Sequence, residues 1–259
     1  MALLKTVDLG IAFGGLRALS HLNLEVEAGE LVGLIGPNGA GKTTVFNLLT
    51  GEYAPTEGEI HFDGRRLGRL KPHQVNRLGI ARTFQNIRLF RGLSVVENVK
   101  AALHSRLAPT FLATLLRSPG FYRDEARVEA EAMRLLALVD LQAVARQPAS
   151  SLPYGLQRRL EIARALATGP KLLLLDEPAA GMNPQESRAL MELIRSIRSG
   201  FGLTILLIEH DMSVVMSVCD RILVLDHGVE IARGTPEEIR RNPRVIEAYL
   251  GEEVPADAS

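Results

Sequence analysis

The 259-residue sequence lacks several features that would each point to a particular class of protein. Its single cysteine, Cys219, can form no internal disulfide, which suits a reducing compartment. Lysine plus arginine and aspartate plus glutamate both number 30, so the charge gives no reason to expect nucleic acid or an anionic membrane surface as the main partner. No apolar run of about 18 residues is present, so we expect no membrane-spanning segment, and we expect no signal peptide.

The sequence also has no internal repeat, heptad run or long low-complexity tract, and we expect only a tail over residues 251–259 to be disordered. Apolar residues make up 46% of the chain, which is enough for a sizeable core. The length fits one large α/β domain or two small ones. Residues from about 87 to 168 are mostly helical in pattern and lie between strand-rich segments, which predicts a helical subdomain inserted into an α/β core.

The most informative stretch is residues 36–43, which fit the G-x-x-x-x-G-K-[ST] pattern of a phosphate-binding loop. The apolar run Leu31–Ile35 before it predicts a buried strand, and residues 44–50 after it predict a helix. This context favours the loop over a chance glycine-rich turn, because glycines allow positive φ and the helix end attracts anions. The predicted ATP-binding residues here are Gly36, Pro37, Asn38, Gly39, Ala40, Gly41, Lys42, Thr43 and Thr44.

Within the loop, we expect Lys42 to reach the β- and γ-phosphates and the Thr43 hydroxyl to ligate Mg²⁺. A second stretch has four leucines, residues 172–175, that predict a strand buried on both faces and end in Asp176 and Glu177. The C-terminal ends of such strands are where α/β sheets bind ligands. Asp176 would hold Mg²⁺, directly or through water, and Glu177 would polarise the attacking water. The alternative is a strand that simply ends in surface charge.

Three further residues lie at the ends of predicted strands. Phe13 ends the first strand of a hairpin, either as a core or hairpin-end aromatic or as a platform for an adenine ring. Gln85 follows the predicted strand over residues 80–84, and taken alone it is predicted to be a solvated loop residue. His210 follows the buried strand over residues 203–208. Its position at the C-terminal edge of a parallel sheet favours a catalytic role over a capping or surface one.

The remaining pattern predicts a hairpin, several helices and one irregular stretch. The hairpin strands are residues 3–13 and 17–26, turned at Gly14 and Gly15, and residues 104–122 are expected to be irregular. Serine, asparagine and threonine caps mark the starts of three of the helices. The predicted helices cover residues 72–78, 94–103, 123–139, 158–167, 184–200 and 235–250.

The phosphate loop, Gln85, the stretch before Arg158, the Asp176-Glu177 pair and His210 stand in the order found in the ATP-binding subunits of ABC transporters. The chain resembles this family over nearly its whole length. The resemblance implies an α/β fold of P-loop NTPase type. Such a fold has a core of mainly parallel sheet, an antiparallel β-subdomain and an inserted helical subdomain. It also implies a single ATP-binding domain over residues 1–259, with ATP and Mg²⁺ as cofactors.

Residue by residue, the resemblance assigns Phe13 to adenine stacking and Gln85 to sensing both Mg²⁺ and the membrane subunit. It assigns His210 to a switch on the γ-phosphate, alongside the catalytic Glu177. Residues 179–183 correspond to a loop that crosses between two ATPase subunits. The predicted catalytic residues are therefore Glu177 and His210, and the predicted metal-binding residues are Thr43, Gln85 and Asp176.

The signature sequence of the family, Leu-Ser-Gly-Gly-Gln, corresponds in altered form to residues 152–156. The predicted signature residues that act across the dimer are Pro153, Tyr154, Gly155, Leu156 and Gln157. Proline replaces the serine, tyrosine the first glycine, and leucine the glutamine. Proline offers neither a hydroxyl nor an N–H to the ATP of a partner subunit. Gly155 and the backbone after it still offer N–H groups at a helix start, so we predict a weakened rather than an inactive half-site.

Within the family, the sequence is similar to the branched-chain amino acid importers, on residues 82–90, 177–184, 208–212, 234–239 and 245–251. Urea and amide importers share much of this pattern, so they remain the alternative. The resemblance implies an ATP-hydrolysing subunit on the cytoplasmic face of the inner membrane. Its implied partners are a second ATP-binding subunit, identical or different, two membrane permease subunits and, indirectly, a substrate-binding protein.

A different class of protein, a regulator that clamps nucleic acid or ribosomes by ATP-driven closure, is the rival hypothesis. Family members of that kind usually carry two ATPase halves in one chain, or long coiled-coil insertions. This chain has one set of motifs, no heptad run and no basic excess, so we expect a transport function and no nucleic-acid partner.

Overall fold

The computed structural model describes residues 2–107 and 119–250, which form two sheets and a set of surrounding helices. The larger sheet has six strands that pair in parallel, except for an antiparallel hairpin at one edge. Three of its strands are buried along their whole length because elements cover both faces, which explains their unbroken apolar runs. In spatial order the strands are β11 (Val229–Gly234), β10 (Arg221–Asp226), β4 (Leu31–Ile35), β9 (Thr204–Ile208), β8 (Leu172–Asp176) and β7 (Ile80–Arg82).

The smaller sheet is antiparallel and contains the predicted hairpin, which is confirmed by the pairing of Phe13 with Leu16. The second hairpin strand is broken into two, and the Thr6 hydroxyl bridges the gap. It donates to the Leu22 carbonyl and accepts from the Leu24 N–H, both at 2.8 Å. The strands of this sheet are β1 (Ala2–Phe13), β2 (Leu16–Leu22), β3 (Glu25–Glu27), β5 (Glu57–Phe62) and β6 (Arg65–Arg66).

The helices begin mostly where the sequence predicts caps. Side chains of Ser94, Asn183 and Thr235 accept hydrogen bonds from the first turns that follow them, and a glutamate three residues on completes each capping box. None of the helices in the described part of the chain has the length and apolar content needed to span a bilayer. The helices are α1 (Lys42–Leu49), α2 (Pro72–Leu78), α3 (Val95–Leu107), α4 (Pro119–Leu138), α5 (Tyr154–Ala167), α6 (Pro184–Phe201), α7 (Met212–Val218), α8 (Pro236–Arg240) and α9 (Pro243–Leu250).

Several predicted boundaries are wrong. Helix α5 begins at Tyr154 rather than at residue 158, because Pro153 caps it and its carbonyl accepts the Gln157 N–H at 3.0 Å. Helix α6 continues past Gly200 and ends at Gly202, which takes the left-handed conformation that favours glycine. Strand β7 is two residues shorter than predicted.

Two further predictions concern the helical segments. The last helical region divides into α8 and α9. The stretch predicted to be irregular is helical at both ends, up to Leu107 and again from Pro119, while residues 108–118 and the predicted tail over 251–259 lie outside the described residues.

Helices α3, α4 and α5 pack on one another, as an inserted helical layer requires. Their apolar side chains, such as Val99, Leu135 and Leu160, are fully buried and continuous with one face of the larger sheet. The other face of that sheet packs with α1 and the smaller sheet in a second buried cluster. The predicted fold class is therefore confirmed, and the C-terminal ends of the central strands lie between these layers.

Candidate active site

The phosphate loop connects the buried strand β4 to helix α1, as its sequence predicts. Gly36 has φ 149°, and a Cβ placed there would lie 2.0 Å from the Leu225 carbonyl oxygen, so no other residue fits. Gly41 caps α1 with φ 99°, again in the region that favours glycine. The loop therefore wraps tightly in front of the positive end of a helix, which is a ready anion-binding arrangement.

Lys42 lies inside this loop and is 8% exposed. Its ammonium group donates to the carbonyl oxygens of Gly36 and Pro37, at 2.6 and 2.8 Å. The positive charge is thus held at the centre of the loop before any phosphate arrives, which reduces the reorganisation needed to bind one.

Asp176 ends strand β8, and an arginine that sequence reasoning missed holds it in place. Arg82, at the end of the neighbouring strand β7, donates to Asp176 Oδ2 at 2.7 Å and to Asn47 Oδ1 at 2.7 Å. Both members of the ion pair are nearly buried, and the Arg82 guanidinium also lies 5.2 Å from the Phe84 ring. Arg82 lies in the middle of the strand predicted over residues 80–84, and only the pairing of β7 with β8 in the fold brings it beside Asp176.

The predicted metal-binding residues come together in the structure. Thr43, Gln85 and Asp176 line one cleft of about 310 Å³. Hydroxyl, amide and carboxylate oxygens are the donors that Mg²⁺ prefers, so these residues fit that ion.

Glu177, Gln85 and His210 also meet at this edge of the sheet, although they are far apart in the sequence. Gln85 Nε2 donates to Glu177 Oε2 at 2.9 Å, and His210 Nδ1 lies 3.9 Å from the same oxygen. Glu177 has φ 44°, which is rare for a residue with a side chain, and its N–H donates to the Ile208 carbonyl at 2.9 Å. The turn after β8 therefore presents the Glu177 carboxylate beside the end of β9.

Phe13 lies at the hairpin end and is 45% exposed, so the interpretation as a core aromatic is wrong. Its ring meets that of Tyr53 edge-on, with centroids 5.2 Å apart. Tyr53 itself lines the cleft that contains Thr43 and Asp176. Phe13 thus stands near the phosphate loop with ring surface still accessible to a planar ligand.

The signature residues occupy the cap and first turn of α5, and none of them lines the cleft of Thr43 and Asp176 in the described part of the chain. Tyr154 is 44% exposed, and the space around Gly155 is open. Leu156 packs partly against the core, and Gln157 Nε2 donates to the Leu152 carbonyl at 2.8 Å. The exposed part of the signature is therefore a surface outside the cleft of Thr43 and Asp176.

Arg158, which sequence reasoning also missed, joins the signature helix to the Gln85 segment. It is fully buried and donates to the carbonyl oxygens of Phe84 and Gln85 at 2.6 and 2.8 Å, and to Tyr154 Oη at 3.1 Å. It also pairs with Glu161 at 2.6 Å. Burial raises the pKa of Glu161, and the Arg158 charge opposes that shift. The fold and the site together define a P-loop nucleotide-binding protein of the ATPase type.

Comparisons with known proteins agree with this class. A family model for ABC transporters matches residues 19–180, and one for branched-chain amino acid ATP-binding cassette transporters matches residues 230–255. The chain is 51% identical over 250 residues to the high-affinity branched-chain amino acid transport ATP-binding protein BraF of Pseudomonas aeruginosa, covering 96% of this chain and 98% of that protein.

Solved structures give the same result. MJ1267, an ATP-binding cassette of an ABC transporter in its ADP conformation, superimposes with a TM-score of 0.84 at 30% identity, over 97% of this chain and 100% of that one. A dimeric post-hydrolysis state of the cassette MJ0796, bound to ADP and Pi, gives 0.75 at 26% identity, over 90% and 98%. The chain belongs to the ABC transporter family as an ATP-binding subunit, and such subunits hydrolyse ATP. Membership implies membrane permease partners and dimerisation.

Proposed function

We propose that this chain hydrolyses MgATP to drive uptake of branched-chain amino acids through separate permease subunits, from a peripheral position on the cytoplasmic face of the membrane. The observation that carries the catalytic part is the meeting of Asp176, Glu177, Gln85 and Thr43 beside the phosphate loop. The substrate class is supported by the match over residues 230–255 and by the names of relatives such as BraF.

In this proposal, different residues bind the phosphates, hold Mg²⁺, polarise the attacking water and stack on the adenine ring. Lys42 and the loop N–H groups bind the phosphates, while Thr43, Gln85 and Asp176 hold Mg²⁺, which supplies charge neutralisation when bound. Glu177 orients and polarises the attacking water, and His210, beside it, contacts the γ-phosphate. Phe13 provides a surface for the adenine ring.

A second ATP-binding subunit completes each site in this proposal. The γ-phosphate needs donors on the side opposite the phosphate loop. In this chain the signature residues Tyr154 and Gly155 are accessible on α5 and lie outside the chain's own cleft. A partner placed across the dimer would offer the same surface to ATP bound here. Closing the dimer then excludes water and assembles the catalytic groups.

The permease contact is proposed at residues 88–90, which follow Gln85. Phe90 is 52% exposed, and the guanidinium of Arg88 lies 4.0 Å from the Phe84 ring. Arg158 and Glu161 on α5 hold the backbone of Phe84 and Gln85, and Glu161 also accepts the Arg88 N–H at 3.5 Å. Movement of α5 or of Gln85 would therefore move the surface with it.

Photocrosslinking tests this contact. A benzophenone maleimide attached at Phe90→Cys should crosslink to a permease subunit in the assembled transporter. Leu16→Cys, 72% exposed in the smaller sheet, is the matched control and should not crosslink. Native Cys219 can stay, because burial raises the pKa of its thiol to about 12 and keeps it unreactive. Crosslinks from position 16 alone would place the permease on the other half of the molecule.

Uptake assays test the substrate. Cells that lack this chain should regain leucine uptake with the unchanged protein and not with Lys42→Ala. Recovery of urea uptake in place of leucine uptake would favour the urea or amide importers instead.

A further inference from the structure

Glu209, between strand β9 and His210, is a buried carboxylate that the roles above do not use. Its side chain is 1% exposed. Oε1 accepts the backbone N–H of Ala179 at 2.9 Å, while Oε2 has no hydrogen-bond partner among the described residues. His210 Nδ1 lies 3.8 Å from Oε2, just beyond hydrogen-bond distance.

This arrangement is unfavourable for the isolated chain. Burial raises the pKa of Glu209, and the nearby Glu177 carboxylate adds to that shift, while the backbone N–H groups of Ala179 and His210 and the His210 ring only partly oppose it. An acid with a raised pKa costs stability at neutral pH, because the folded state must hold as a buried anion a group that water solvates well when unfolded. Local violations of this kind are expected at functional sites.

The carboxylates around His210 differ in whether they can accept a hydrogen bond from its ring. Glu177 Oε2 lies 3.9 Å from Nδ1 and already accepts from Gln85. Asp211 accepts from the Ser213 N–H at the start of α7. Of the two carboxylate oxygens at 3.8 and 3.9 Å from Nδ1, only Glu209 Oε2 accepts no hydrogen bond among the described residues. Since the His210 side chain is 61% exposed, a ring movement of under about 1 Å would bring Nδ1 within hydrogen-bond distance of it.

We propose that Glu209 is a positioning residue for His210 and for the loop that crosses the dimer. Its Oε2 accepts the Nδ1–H of His210 when the site closes, which leaves Nε2 to face the γ-phosphate. Its Oε1 simultaneously holds Ala179, the first residue of that loop. One carboxylate thus ties the ring that contacts this chain's ATP to the loop that contacts the partner subunit. The inference rests on the role proposed above for His210.

Glu209→Gln is the sharpest test, because glutamine keeps the size and can still accept from Ala179, yet presents no second acceptor to His210. In the assembled transporter we expect kcat for ATP to fall about 10- to 100-fold, the range seen when carboxylates that orient histidines are removed. KM for ATP should change little, because the phosphate loop is untouched, and the melting temperature should not fall. Glu192→Gln, at an exposed carboxylate on α6, is the matched control and should leave both constants unchanged.

A double-mutant cycle with His210→Ala separates this role from a structural one. If Glu209 acts through His210, then Glu209→Gln has no further effect on kcat in the His210→Ala background. Additive losses, an unchanged kcat in the single variant, or a loss explained by a lower melting temperature would each overturn the inference. Full hydrolysis by His210→Ala alone would instead overturn the assignment of His210.

Discussion

The two halves of the ATP site in this chain are built differently. The phosphate-loop half, residues 36–44 with Asp176, Glu177 and His210, stands at the ends of buried central strands, and its charged groups are held by hydrogen bonds such as those of Lys42 and Arg82. The signature half, residues 153–157, is one exposed helix start whose side chains carry no charge. The sheet therefore holds the proposed catalytic groups in place, while the signature half would offer only backbone N–H groups to a partner subunit.

Arg158 connects the two halves within one chain. It reaches from the signature helix to the carbonyl of Gln85, whose side chain contacts Glu177. Direct contacts thus link the chain's own phosphate-loop half to the surface that we propose meets the partner's ATP. Each prediction below alters one half, or the link, and asks whether the other half responds.

Glu177→Gln should have the largest effect. The glutamine keeps the shape but cannot polarise water, so turnover should fall about 10²- to 10⁴-fold. Binding of MgATP should persist because Lys42 and the loop are intact, and ATP-locked dimers should appear in size-exclusion chromatography. Near-normal hydrolysis of ATP by the variant transporter would contradict the assignment of Glu177 as the residue that polarises the attacking water.

The same contrast explains what could be predicted from the sequence. The phosphate loop, Asp176, Glu177 and His210 were found because each follows an apolar run, and parallel strands bring their C-terminal ends together. Arg82 and Arg158 were missed because an arginine in a strand or helix carries no pattern that reveals its partner. Their partners are 94 residues away (Asp176) and 73 residues away (Gln85), and only the fold joins them.

Arg158→Met should break the link and lower stability. It leaves Glu161 buried without its partner, so the free energy of unfolding should fall by about 3–5 kcal/mol. Adding Glu161→Leu should recover part of this in urea unfolding, because it removes the unpaired carboxylate, although the Phe84 N–H and carbonyl still lack their side-chain partners. The matched control is Arg134→Met on α4, where the pair with Glu131 is largely exposed and should change stability by under about 1 kcal/mol.

The double variant also tests coupling between the halves. Its stability should recover in part, whereas its hydrolysis should stay as impaired as in the single variant, because no side chain then joins α5 to the Gln85 carbonyl. Recovery of full hydrolysis together with stability would show that Arg158 only supports the fold.

Lys42→Ala should weaken ATP binding by about 10- to 100-fold, since hydrogen bonds to a charged group contribute roughly 1.5–3 kcal/mol. A fluorescent ATP analogue measures this directly. Lys5→Ala, at an exposed ion pair in the smaller sheet, should bind nucleotide normally. Equal affinities of the Lys42 variant and the unchanged protein for ATP would contradict the phosphate-binding role assigned to Lys42.

Pro153→Ser should change hydrolysis least, and it alters only the signature half. A serine supplies a hydroxyl and an N–H where proline supplies neither, so hydrolysis should rise, by no more than about fivefold for a hydrogen bond worth roughly 1 kcal/mol. Pro153→Ala supplies the N–H alone and shows which of the two groups matters. ATPase rates of the assembled transporter provide the measurement.

Two features decide how a gain from Pro153→Ser is interpreted. Position 153 caps α5, so a serine hydroxyl could instead accept an N–H of the first turn, which would raise stability without raising hydrolysis.

If the partner is a different ATP-binding subunit, position 153 faces the partner's ATP, and the gain should vanish when the partner's catalytic glutamate is disabled. A gain that depends on Glu177 alone would indicate a homodimer. No gain would mean that the backbone donors after Gly155 already suffice.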